Sequence, residues 1–101
     1  MSTTTPDKGE AERLAGSMVE QKLAVCVQIV PQITSVYVWN GEVKREGECL
    51  LLIKTSEDRY DGLERFISEN HSYEVPEIVA VQVSDASKAY SKWLTEYLNG
   101  A

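Results

Sequence analysis

The dipeptide Asn40-Gly41 stands between two long runs of strand-forming residues, and it narrows the folds open to this chain more than any other feature. Asn-Gly suits the two positive-φ positions of a tight hairpin turn, so the flanking runs are expected to fold back on each other as antiparallel strands. Residues 24 to 39, AVCVQIVPQITSVYVW, are rich in β-branched and aromatic side chains. Their second half alternates, which sets Val36 and Val38 on one face and Tyr37 and Trp39 on the other. Pro31 has no amide hydrogen for a ladder, so the strand is expected to bulge there or to lie on an edge. After the turn EVKREGECLLLIKT returns as the partner, with Gly47 an expected break.

Helical spacing brackets this hairpin. Ala11, Leu14, Ala15, Met18 and Val19 form one face of a helix from Asp7 to about Lys22, and Asp7 with Glu10 has the form of a capping box. A second helix opens at Ser56 and buries Tyr60, Leu63, Phe66 and Ile67. Beyond Pro76, residues 77 to 83 read as a strand. Ser84 or Asp85 then caps a third helix whose Ala86, Ala89, Tyr90, Trp93, Leu94 and Tyr97 share a side, and Gly100 stops it. The right-handed crossover rule calls for a strand before the first helix, and MSTTT must supply it. The expected architecture is α+β: one ferredoxin-like βαββαβ domain over residues 1–101, a two-layer sandwich with an added C-terminal helix.

Leu50 to Ile53 and Ile78 to Val81 place apolar groups on both faces of their strands. A sheet covered by helices on one side only would alternate. Either a second sheet covers the other face in a symmetric homo-oligomer, or the third helix does. A chain of 101 residues buries a modest core, which adds weight to oligomerisation. The net charge of -6 with no basic stretch argues against nucleic acid or an anionic membrane as partner. No apolar run approaches the roughly 20 residues of a membrane span, and a cytoplasmic protein is expected. Cys26 and Cys49 sit in apolar runs, so no disulfide is expected and Cys26 is assigned to core filling.

KLAVCVQIVPQITSVYVWNGEV, the IKT at 53 to 55, HSYEVPEIVAV at 71 to 81 and YSKWL at 90 to 94 resemble the CutA divalent-cation tolerance family. The resemblance runs from about Thr5 to the C-terminus in order and spacing. It implies a ferredoxin-like subunit in a tight homotrimer, related in architecture to the PII-type nitrogen-signalling proteins, and an association with copper and other divalent metals. In bacterial members copper is assigned to a Cys of the first strand and a His-His pair. The matching positions here read Thr3 and Asn70-His71, and Ser72 stands where a Pro usually follows.

His71 is the sole histidine, and imidazole is the commonest metal ligand among side chains. It is expected to be partly solvent-accessible in an inter-subunit cleft near Glu77, with carboxylates such as Glu74 or Glu77 completing a weak and poorly selective site for copper or another divalent cation. Lys54 and Glu77 are expected to pair at the cleft rim. Tyr37, Trp39, Tyr73 and Trp93 either line that cleft or pack between subunits, with Tyr37 and Trp39 at or near the boundary. No nucleophile, base and orienter can be assembled around one histidine, so the chain is not expected to be an enzyme. Two readings stand: a homotrimeric metal-tolerance protein, and a PII-like trimer that senses a small ligand or scaffolds a partner in its clefts.

Overall fold

The computed structural model describes residues 1–100. Strand β1 (Ser2–Thr5) leads into helix α1 (Lys8–Glu20), the long strands β2 (Cys26–Trp39) and β3 (Glu42–Lys54) follow, then a single 3-10 turn (Glu57–Arg59), helix α2 (Tyr60–Asn70) and helix α3 (Lys88–Leu98). The sheet is antiparallel in the order β1-β3-β2. The α+β class and the assignment of MSTTT as the strand before the first helix agree with the expectation.

The turn behaves as its residues require. Asn40 and Gly41 have φ of 52° and 79°, the paired positive values of a type I′ turn. The irregularity expected at Pro31 is there too: from Val30 to Ile33 the register takes three steps along β2 against two along β3, with Gln32 at φ 60°. One extra residue of this kind reverses the alternation of everything beyond it. Directly paired residues share a face, so even-numbered Gln28 and Val30 lie on the same face as odd-numbered Ile33, Tyr37 and Trp39. Gly47 makes no break; it pairs with Thr34 inside a continuous β3.

Helices α1 and α2 cover one face. Ala11, Leu14, Ala15 and Met18 of α1 pack with Leu63 and Ile67 of α2 over Cys49, Leu51 and Ile53 of β3. A buried leucine contributes about 1.5–3 kcal/mol, so this cluster is the main source of cohesion. Cys49 is the core cysteine; Cys26, assigned to the core from sequence, is only half-buried opposite Lys54, and both thiols are free. Asp7 caps α1 by accepting from the Glu10 amide at 2.8 Å, which is half of the expected capping box. The other half does not close, because the Glu10 carboxylate is turned to Ser72.

The expected strand over 77–83 shrinks to a single bridge, with Ser2 and Val79 exchanging backbone hydrogen bonds of 2.7 and 3.1 Å. The bridge sits on the free side of β1, the position that a ferredoxin-like order assigns to the last strand. Its neighbours explain why it does not grow. The Thr4 carbonyl, next in that ladder, is taken by another group, and residues 80–83 run past Ser2, where β1 starts. Helix α3 is capped by Ser87, not by Ser84 or Asp85. It is moored by its last turn: the Arg59 guanidinium donates to the Leu98 carbonyl, and Tyr97 donates to the Val19 carbonyl at 2.6 Å. Only Leu98 of this helix is buried. No described helix is long and apolar enough to cross a membrane.

Candidate functional site

The path of the chain after α2 is set by one buried imidazole. His71 is extended where α2 ends, and its side chain has no solvent exposure. Nδ1 accepts from the Tyr73 amide at 2.9 Å, which leaves Nε2 to carry the proton and donate to the Thr4 carbonyl at 2.6 Å. In a regular ladder extended from Ser2 and Val79, the donor to Thr4 would be the amide of Glu77. The imidazole substitutes for that amide just where the backbone leaves β1. A buried carbonyl without a donor is costly, and His71 removes the cost.

Two carboxylates hold the same segment. Glu10 Oε2 accepts from the Ser72 amide at 3.0 Å and lies 3.4 Å from His71 Nδ1. Tyr73 stacks obliquely on the imidazole at 4.8 Å and donates its hydroxyl to Glu48 Oε2 at 2.8 Å. Burial first, and then the Glu48 carboxylate, push the Tyr73 phenol well above its ordinary range, so it remains a donor. Residues 71–73 are thus tied to β1, α1 and β3 at once.

This geometry overturns the expected exposure of His71. Its neighbouring carboxylate is Glu10 and not Glu77, which is exposed. No ion pair joins Lys54 to Glu77 among the described residues; Lys54 instead lines a cleft of about 1280 Å³ with Leu52, Tyr60, Val81, Tyr90 and Leu94. None of the four aromatic residues singled out from sequence lines that cleft. Tyr37 and Trp39 lie on the sheet face away from the helices, 37% and 46% exposed, and Tyr37 shares it with Glu46 and Glu48. Burial and then Glu46 raise the Tyr37 phenol. Trp93 is apart from them on α3, edge-on to Tyr90 at 5.5 Å. Sequence reasoning missed Glu10 and Glu48. Glu10 was visible as an N3 glutamate, and Glu48 as the one acid just before the apolar run of β3.

As a metal centre the set does not fit. Both imidazole nitrogens are engaged, and no group of three or more His, Cys, Asp or Glu side chains that could hold an ion occurs among the described residues. A cation at His71 would have to break the Tyr73 or Thr4 hydrogen bond.

Residues 1–97 match the family described as CutA1 divalent ion tolerance protein. The chloroplastic CutA 1 protein of rice is 46% identical over 91 residues, which is 90% of this chain and 51% of the rice protein. The chain spans about half the length of the rice and Arabidopsis relatives it matches. The divalent-cation tolerance protein CutA of Thermus thermophilus is 42% identical over 92% of this chain and 90% of its own length. The crystal structure of CutA1 from rice superposes with a TM-score of 0.92 at 44% identity, covering 95% of this chain and 88% of that one. Matched over residues 1–97, more than 40% identical to these relatives and superposing on a solved member across 95% of its length, the chain belongs to the CutA1 divalent ion tolerance family.

Proposed function

We propose that the chain serves in divalent-cation tolerance as a homotrimer, binding copper or another divalent cation weakly, in the cytoplasm, with a binding role and no catalytic one. The names of the relatives supply the cation. One observation carries the assembly: large apolar groups stand uncovered at both ends of the long strands, with Val36 at 57%, Val38 at 67% and Val43 at 62% exposure on the distal hairpin, and Val81 and Val83 at 76% near Lys54 at the other end. A small domain that leaves so much apolar surface in water is built to bury it against something else. Because His71 offers no free nitrogen within one chain, cation binding in this reading draws on carboxylates brought together between copies, with His71 holding the segment that carries Glu77.

The second reading, a PII-like trimer that takes a small ligand, is favoured by the cleft of about 1280 Å³ in which Lys54 faces Tyr60 and Tyr90. Sedimentation at micromolar protein tests the trimer, and a monomer of 11.3 kDa would sink both readings. Calorimetric titration with copper and with zinc, beside a thermal-shift screen of nucleotides and small anions, separates them. Cation binding that survives His71→Ala in folded protein supports the carboxylate site. Binding abolished in that variant, with its fold and assembly intact, would return the imidazole to the role of ligand.

A further inference from the structure

The sheet face away from the helices carries a charge pattern that one copy of the chain cannot satisfy. On β3 the residues Glu48, Leu50, Leu52 and Lys54 alternate onto this face. Glu48 is 8% exposed, and its hydrogen-bond donor is the neutral hydroxyl of Tyr73. Among the described residues no lysine or arginine comes within 4.0 Å of it, and no carboxylate comes within that distance of the half-buried Lys54. A buried carboxylate without a cation is costly, and a half-buried ammonium less so. The two cannot meet within a chain, because six residues of strand separate them by roughly 20 Å. On β3 itself only Leu50 and Leu52 lie between them, flanked on this face by Val30, which is 39% exposed, and by the small or uncharged Ser2, Thr4 and Gln28.

A stripe with an acid at one end, a base at the other and leucines between is complementary to a copy of itself displaced along the strand. We propose that this face docks against a second copy of the chain, with Glu48 of one copy paired to Lys54 of the next across the apolar stripe. In a closed ring each copy contributes one Glu48 and one Lys54, so every pair is satisfied and none is left at an end. The inference rests on the homotrimer reading and names the contact that sets its register.

The test is a double-mutant cycle read by sedimentation equilibrium on Glu48→Lys, Lys54→Glu and the combined swap. Each single variant puts like charges together and is expected to weaken association at least about tenfold; the swap restores opposite charges and regains most of that loss. Comparing the swap with Glu48→Lys cancels the loss of the Tyr73 contact, which both share. A monomeric wild type would overturn the homotrimer reading and this pairing together. A trimeric wild type whose swap assembles no better than Glu48→Lys would overturn the pairing alone. Should Glu48→Lys fail to fold, the Lys54 series decides with the Tyr73 contact intact: Lys54→Arg is expected to assemble like wild type, Lys54→Gln more weakly and Lys54→Glu most weakly. Equal association across that series would refute the pairing.

Discussion

Strand β3 passes through two environments in 13 residues. At Cys49, Leu51 and Ile53 it is sealed under α1 and α2, whereas at Val43 and Arg45 it is exposed, as are Val36 and Val38 opposite. The long axis of 46 Å is about the span of β2 at roughly 3.3 Å per residue, so the distal hairpin is an arm that leaves the body. The body is explained by its own contacts. The arm keeps its backbone bonds yet has no side-chain core, and within one chain its apolar residues stay exposed. Under the proposed homotrimer, stability and assembly rest on different residues, and substitutions test that division.

The largest effect is expected in the body. Leu51→Ala should cost about 2–5 kcal/mol in denaturant unfolding, because Leu51 is fully buried beneath both helices. A cost below about 1 kcal/mol would mean that the cluster is not the core. His71→Ala comes next, at about 2–3 kcal/mol, since it strips the Thr4 carbonyl of its donor and the Tyr73 amide of its acceptor. Amide exchange should locate the loosening at residues 71–79 and β1. Unchanged protection there would show that the imidazole is not what holds the segment.

Tyr73→Phe should cost about 1.5 kcal/mol at neutral pH through the lost bond to Glu48. Its sharper signature is alkaline. The folded phenol holds its proton above the value of the unfolded chain, so the native state is favoured below that unfolded value and loses ground as pH rises past about 10. Removing the group should make the alkaline decline shallower than in wild type, and an equally steep decline would place the cause in Tyr37 or Tyr60. The smallest effect belongs to the arm: Trp39→Ala should change unfolding of the separated chain by no more than about 0.5 kcal/mol while weakening assembly. A large loss of stability in a monomeric form would erase the distinction between arm and body.

What could be read ahead of the structure was local chemistry. Asp7 as a cap, Pro31 as a bulge and Asn40-Gly41 as a turn each follow from a residue and its immediate neighbours. The βαββ order and the identity of MSTTT follow from adding those signals to the crossover rule. What could not be read depends on distant partners. Residues 77–83 have the composition of a strand, but a strand needs a neighbour, and here only Ser2 provides one. His71 looked like a ligand because its partners, Thr4 and Glu10, lie more than sixty positions away in sequence. Glu48 was passed over because an acid at a strand position signals nothing until Tyr73 is seen across from it.

The extra residue at Pro31-Gln32 has a consequence for how such chains can change. Because it resets the alternation of β2, the segments 26–30 and 33–39 obey opposite parity rules, and substitution patterns along the strand must be read in two frames. Loss of one residue there would leave two steps on each strand between the flanking pairs, so Ile33 would still face Glu48 and Tyr37 and Trp39 would keep their side of the sheet. A single-codon deletion at the bulge would therefore straighten the strand and bring it to one parity without exchanging what the arm offers on its two sides.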